Sequence, residues 1–506
     1  VVRVVLAVVA LGCAVVSVSF PWSDVPRADP LWAVVGVGLV VVAALTLFAR
    51  GRVVALIVSV VALGFAGWVL VGDLSSGVSG AGSAVLAVGA LACVAGALSG
   101  WWGVPVLAVV LAVVAPFAVS TVDSATVDRA DVGAVVARPA GVLWRWTAGA
   151  PVTGAVVAGP GIVVGTATGE VVSLTAGGGT TWRYARPGTS NVSLRTTPDR
   201  TLVVAAFEGD GPFLRKQDLW VLLDASTGEV VREWAGRKAA PTTPRPTDRV
   251  LVEWEGVDRA EGGQDFRITA VDLRGGQELW TWRAPEGCRA PLPVVDGAAD
   301  TVLAILACGD DWGLVGLADR DGSERWRALS PVPKGESQDF VTDVGTDGRL
   351  VAVTSNFITG TLIRAHDGHR VATDLSSEYR FWAGTGPLAV GVVRDRDDKI
   401  RSVAVVDPGT GAVTPVAEVP CPRQRTMATT ATTFLRLCDT EDGAELVWQD
   451  LDGTGTGRSP VPDWARPSSR SLGDFRSAFW SEGILPAPGF VALVRLGETG
   501  VVGFAG

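Results

Sequence analysis

Asp224-Ala225-Ser226-Thr227-Gly228-Glu229-Val230-Val231-Arg232-Glu233-Trp234 is the stretch that decides the fold of this chain. An Asp that bonds its own backbone opens a turn, a Gly takes the position with positive φ, and the alternation that follows carries a Trp to the buried side of the next strand. Related copies are Asp272-Leu273-Arg274-Gly275-Gly276-Gln277-Glu278-Leu279-Trp280 and Asp319-Arg320-Asp321-Gly322-Ser323-Glu324-Arg325-Trp326. Trp234, Trp280 and Trp326 follow one another at an even spacing of 46 residues. A period of that size, with short strands and one Asp/Gly turn per unit, marks four-stranded propeller blades.

The repeats occupy only part of the 506 residues. A hydrophobic content of 48% and a mean hydropathy of +0.35 are too apolar for an ordinary soluble protein. The excess lies before residue 121, where the only charges are Arg3, Arg27, Arg50, Arg52, Asp24, Asp29 and Asp73. The acidic remainder argues against nucleic acid and anionic lipid as its main partners, since both require a cationic footprint.

Five apolar runs at about 4–20, 31–49, 53–71, 83–99 and 104–120 each approach the roughly 20 residues that cross a hydrocarbon core as a helix. Polar or helix-breaking residues separate them. Arg3 and the Arg50/Arg52 loop fall on one side and define it as cytoplasmic, which places everything after Ser120 outside. A cleaved signal peptide ending near Cys13 would leave that location unchanged. No charged residue lies inside the five runs, which removes the usual basis for transport or proton relay. Residues 1–120 are therefore expected to be a transmembrane helical domain in contact with the lipid bilayer, and 121–140 a linker or first strand.

Residues 141–506 are expected to form the extracytoplasmic propeller. Gly141-Val142-Leu143-Trp144-Arg145-Trp146 reads as the end of a repeat without its beginning, and the unit after it closes at Trp182-Arg183-Tyr184. Later units keep the order of strands, with Trp weakening as the closing residue after Trp326. The chain ends in a truncated unit at 489–504, which complements the orphan first strand. Pairing the two would close a ring and hide its edges, giving about eight blades, or seven if one unit is misassigned.

Cys288, Cys308, Cys421 and Cys438 lie in two similar contexts: in each pair the first Cys lies just ahead of a unit's strand and the second at that strand's end, where a hairpin would bring them opposite each other. Disulfides 288–308 and 421–438 are expected, out of three pairings that four cysteines allow. Neither CxxC spacing nor nearby His favours a metal there. The two His of the chain, His366 and His369, flank an Asp-Gly pair and read as a solvated turn. Asp310-Asp311 and Asp395-Arg396-Asp397-Asp398 carry carboxylates that suit Ca²⁺, but hairpin tips are commonly charged for solvation alone.

The turn-to-Trp signature, with strands such as Ile162-Val163-Val164-Gly165-Thr166-Ala167-Thr168-Gly169-Glu170-Val171-Val172-Ser173-Leu174, resembles the repeats of the quinoprotein dehydrogenase-like propellers, the pyrroloquinoline quinone (PQQ) repeat superfamily. The arrangement as a whole resembles membrane-anchored PQQ-like repeat proteins of high-GC Gram-positive bacteria. Enzymes of that superfamily hold the quinone on the propeller axis with Ca²⁺, an Asp base, stacking Trp and, often, adjacent cysteines. This chain has no adjacent Cys pair and no local motif for the Ca²⁺ ligands or the Asp base. Its Trp residues have a sufficient role in docking blades. No catalytic or metal residue is therefore assigned, and which residues would bind a cofactor is left open. The expected function is a scaffold in the cell membrane that binds an envelope protein or cell-wall ligand, with a PQQ- and calcium-dependent dehydrogenase as the alternative.

Overall fold

The computed structural model describes residues 2–19, 30–48, 52–75, 81–98 and 138–505, the last without 187–188, 210–218, 236–245, 259–263, 291–294, 332–339, 345–348, 356–360, 373–378, 384–388, 395–399, 408–411, 417–420, 422, 431, 441–442 and 462–481. The expected fifth apolar helix at 104–120, the segment 121–137 and the carboxylates at 395–398 lie outside the described residues.

Four of the five apolar runs are helices: α1 (Val2–Ser19), α2 (Pro30–Thr46), α3 (Arg52–Ser75) and α4 (Ala81–Ala97). Among the described residues one, over Val53–Val71, is long and apolar enough by itself to cross a membrane. The apolar stretches of the others, Arg3–Ser17, Val35–Thr46 and Ala84–Ala97, are shorter. At about 1.5 Å per residue they fall short of a hydrocarbon core of about 30 Å, so among the described residues length and composition support one span.

Many of the large side chains of the four helices point outward, although Leu6, Val40, Leu47 and Leu86 are buried among the alanines. Ala7, Ala10, Ala14, Ala43, Ala66 and Ala90 are among the residues that line the seam, while Val15, Val53, Ile57, Val61, Val71 and Leu45 stand exposed. α4 approaches closely enough that a Cβ on Gly89 would lie 2.9 Å from Cys13 Cβ. The Ser17 and Thr46 hydroxyls donate to carbonyls three residues back in their own helices, at 2.8 and 2.6 Å. Small residues inside and branched apolar residues outside invert the pattern of a bundle built for water.

The C-terminal part is a β-propeller-like region of antiparallel sheets. Taken in order, the sheets among the described residues are I (β2 Val152–Ala158, β3 Gly161–Thr166, β4 Glu170–Leu174, β5 Thr180–Ala185) and II (β6 Thr189–Thr196, β7 Leu202–Gly209, β8 Leu219–Asp224, β9 Val230–Ala235). Sheet III follows with β10 Val250–Asp258, β11 Gln264–Asp272 and β12 Glu278–Trp282. Sheet IV contains β13 Cys288–Arg289, β14 Val295–Ala298, β15 Thr301–Cys308, β16 Asp311–Ala318 and β17 Glu324–Pro331. Sheet V has β18 Phe340–Val344, β19 Leu350–Ser355, β20 Thr361–Arg364 and β21 Arg370–Ala372. Sheet VI has β22 Tyr379–Ala383, β23 Ala389–Arg394, β24 Ile400–Val406 and β25 Val413–Val416. Sheet VII has β26 Arg423–Thr429, β27 Thr433–Thr440, β28 Gly443–Asp450 and β29 Thr456–Val461. Sheet VIII joins β30 Glu482–Ala487, β31 Phe490–Arg495 and β32 Gly500–Ala505 to β1 Gly141–Thr147, with Trp146 opposite Val501 and Thr147 opposite Gly500. The first strand thus completes the last sheet, and a ladder edge at each end of the chain is satisfied.

Inner strands such as β3, β15 and β31 are mostly apolar and buried along nearly their whole length because both of their faces are covered. One cluster joins sheets I and II through Trp182, Val192, Phe207 and Ala225. Others join VIII to I through Phe490, Ile162 and Val172, and VII to VIII through Leu435, Leu446 and Phe504. Trp280 and Val315 belong to the cluster between III and IV, and Trp326 and Ile363 to that between IV and V. Sheets VIII, I and IV are each thereby one wall of two cores.

Candidate functional site

The repeated turn places its parts the same way in successive sheets. Asp224 Oδ1 accepts the N–H groups of Ser226 and Thr227 at 2.9 and 3.0 Å, and Asp272 Oδ1 accepts those of Arg274 and Gly275 at 3.1 and 2.6 Å. Gly228, Gly276, Gly322 and Gly368 have φ between +69° and +72° or, for Gly276, +74°. Their N–H groups bond back to the carbonyls of Asp224, Asp272, Ala318 and Arg364.

After the turn the register slips by one residue. The irregularity falls between Ser173 and Leu174 in sheet I, Leu222 and Leu223 in II, Ala270 and Val271 in III, Gly316 and Leu317 in IV and Leu362 and Ile363 in V. A bulge re-aims the side chain that follows it. In sheets I, III and IV that side chain is Trp182, Trp280 or Trp326, four residues after the Gly of the turn, and it reaches the turn of the next sheet. Their indole N–H groups donate to the carbonyls of Ala225, Asp319 and Ala365 at 2.9, 2.8 and 2.8 Å. Trp144 in β1 does the same to Ala176 at 2.7 Å. The rings lie on the left-handed glycines: a Cβ on Gly178, Gly228 or Gly322 would meet Trp144, Trp182 or Trp280 at 2.6 Å. Across its own sheet each indole faces a small residue, Gly503, Ser173, Ala270 or Gly316.

Two members of the expected set sit elsewhere. Trp234 lies six residues after Gly228, and the position four residues after it is Arg232. Arg232 donates to the carbonyls of Asp272 and Gly276 at 3.2 and 3.4 Å, and its guanidinium lies 4.7 Å from the Trp234 ring centre. Trp234 packs edge-on against Trp220, with centroids 5.9 Å apart. The even spacing of 46 therefore does not join equivalent positions, because Leu222 faces Arg232 where the indole sites have a small residue. Asp319 is likewise one residue past the turn-opening position, which Ala318 fills. It is 8% exposed and accepts a hydrogen bond from Thr247 Oγ1 at 3.2 Å, tying sheet IV to the turn before β10. Counting from the glycine instead of the tryptophan would have found both displacements.

Aspartates of neighbouring turns meet around Asp319. Asp248 Oδ1 accepts the Asp199 N–H at 2.8 Å. Asp300 pairs with Arg325 at 2.7 Å and with His366 Nδ1 at 2.9 Å. Burial, reinforced by neighbouring carboxylates, holds Asp248 and Asp319 above the usual carboxylate range. Burial acts on Asp300 in the same sense, but the hydrogen bonds and charge of Arg325 outweigh it and hold this carboxyl below that range. His369 stays in the turn, its N–H donating to Asp367 at 3.0 Å. Between sheets I and II, Arg186 bonds Tyr184 Oη at 2.9 Å and pairs with Glu233, and burial pushes the phenol up. Among the described residues no group of three or more His, Cys, Asp or Glu is arranged to hold a metal ion.

The cysteines are joined as Cys288–Cys308 and Cys421–Cys438. Cys288 lies in β13 and Cys308 at the end of β15, while Cys421 precedes β26 and Cys438 lies near the end of β27. Beside the first lies a cavity of about 280 Å³, lined by Gly287, Cys288, Arg289, Ala307 and Gly309.

Residues 202–413 match the PQQ-repeat family described as outer membrane protein assembly factor BamB. Over those residues the chain carries the PQQ-like propeller repeat, so the superfamily resemblance read from its turns holds. No curated protein matches the sequence. Similar solved structures include the β-propeller domain of Cps50 (Swd1) from Myceliophteria thermophila, at 12% identity and a TM-score of 0.36, covering 72% of this chain and 99% of that one. BamB from Moraxella catarrhalis is another, at 16% identity and a TM-score of 0.33, covering 69% of this chain and 100% of that one.

Proposed function

We propose that this chain is a membrane-anchored extracytoplasmic scaffold: residues 1–120 embed in the cell membrane as several helices, 121–140 lead out of it, and 141–506 form a propeller that binds an envelope protein or cell-wall ligand. The carrying observation is the employment of the indoles. Trp182, Trp280 and Trp326 are at most 8% exposed and spend both ring face and N–H on the next sheet's turn, so these rings are committed to architecture. A quinone would need aromatic faces open to a cavity.

Further support comes from three directions. The outward Val, Ile and Leu of the helical bundle suit lipid, and association lets helices of 17 and 18 residues share one apolar belt. Two disulfides suit an oxidising compartment. The matched family is described by an assembly role, which is scaffold work. On this reading the eight sheets are eight blades, closed by β1 on β32.

The test is in-cell photocrosslinking from the propeller of the full chain, followed by titration of the purified protein with PQQ and Ca²⁺. Recovery of a discrete envelope partner without a stoichiometric quinone complex supports the scaffold. A stoichiometric complex with turnover would replace it with the dehydrogenase.

A further inference from the structure

The two disulfides are not in equivalent chemical settings. In the second bond Cys421 is partly exposed but Cys438 is fully buried, whereas Cys288 and Cys308 are both partly exposed beside the cavity that Gly287 and Gly309 border. A Cβ added to either glycine would meet nothing within 4 Å, so the space beside these two glycines is open. Over the bond stands Arg327. Its Nε and Nη2 are engaged by the two oxygens of Glu324 at 3.0 and 2.7 Å, and this fork turns Nη1 toward both sulfurs, 3.9 Å from Cys288 Sγ and 3.8 Å from Cys308 Sγ. A partly exposed disulfide with a fixed cation over both sulfurs has what a leaving thiolate requires.

We propose that Cys288–Cys308 is a thiol–disulfide exchange site, opened by an exposed dithiol, while Cys421–Cys438 is purely structural. An incoming thiolate forms a bond to one sulfur, the Cys288–Cys308 bond breaks, and its electron pair leaves on the other sulfur as a thiolate facing Arg327. The second thiol of the reductant then attacks the mixed disulfide and frees the remaining cysteine. Two electrons pass to the pair, the dithiol becomes a disulfide, and its two protons finish on the two cysteines. β13 meets β15 through only two residue pairs, Cys288 with Cys308 and Arg289 with Ala307, so opening the bond releases this short strand from the sheet. The inference does not rest on the scaffold reading, since the exchange chemistry is a property of sheet IV alone.

The experiment treats full-length protein in detergent with dithiothreitol, quenches by alkylation at intervals, and follows both bonds by peptide mass spectrometry. Cys288–Cys308 is expected to open at least about 10-fold faster than Cys421–Cys438, and Arg327→Gln to slow it by about 3–10-fold without affecting the second bond. Arg327→Lys should recover part of the loss. Equal opening rates in the unsubstituted chain, a comparison that needs no variant, would overturn the proposal. An unchanged rate in a folded Arg327→Gln protein would do so as well.

Discussion

The indole N–H of Trp182 donates to the carbonyl oxygen of Ala225 at 2.9 Å while its ring covers Gly228 of the same turn, so one side chain of sheet I is keyed into the backbone of sheet II. The lock has three parts: a bulge that aims the indole, a left-handed glycine that leaves room for it, and a carbonyl at the depth of the N–H. Each can be removed separately.

Trp182→Ala should destabilise the propeller by about 3–5 kcal/mol through the cavity it leaves. Trp182→Phe, which deletes mainly the N–H, should cost about 1–3 kcal/mol because the Ala225 carbonyl loses a buried partner. Gly228→Ala combines a φ of +72° with a Cβ 2.6 Å from the ring and should be worse than its size suggests. Urea unfolding followed by tryptophan fluorescence measures all three.

Arg232→Trp places the common residue in sheet II, yet it should destabilise by about 1–3 kcal/mol, because Leu222 faces that position and would be overpacked. Adding Leu222→Ala should return part of the loss. A double-mutant cycle in urea measures the coupling, and additive effects would show that the facing residue does not select what stands at this position.

The turns, strands and terminal strand pairing were legible because each rests on local chemistry: Asp224 capping its own turn, Gly228 taking positive φ, and an orphan strand before the repeats with a truncated unit after them. What escaped was register. Trp234 looked equivalent to Trp280 although it stands two residues past the place that Arg232 holds. Asp319 stands one residue past the turn-opening position. Arg327 was invisible because its significance lies in two sulfurs 39 and 19 residues away. In the helical part, hydropathy located the helices but could not show that the interior is mostly Ala while many Val stand outward.

Asp248 and Asp300 should give pH dependences of opposite sign. Asp248 is raised by burial and by Asp199, Asp319 and Asp300, so it retains in the folded chain a proton that the unfolded chain releases. Its contribution is favourable at low pH and is lost as pH rises through the folded value. Asp248→Asn keeps an acceptor for the Asp199 N–H and should melt higher than the unsubstituted chain at neutral pH, the difference vanishing below about pH 3. Asp300 is held low by Arg325, so its contribution is present above the unfolded value and lost as pH falls through the folded one. Asp300→Asn should melt lower at neutral pH and converge with the unsubstituted chain in acid. Calorimetric melting across pH checks both slopes.

Replacing Cys421 and Cys438 together by Ala should cost about 2–5 kcal/mol and lower the melting temperature of the propeller. Thermal melts of the double variant against the unsubstituted chain, both kept oxidised, read the loss directly.

The account depends most on the side of the membrane that holds the propeller. Alkaline phosphatase and green fluorescent protein, each fused after Gly506 in live bacteria, report that side. An active phosphatase with a dark fluorescent fusion is the expected pair of results; a bright fluorescent fusion with an inactive phosphatase would contradict it.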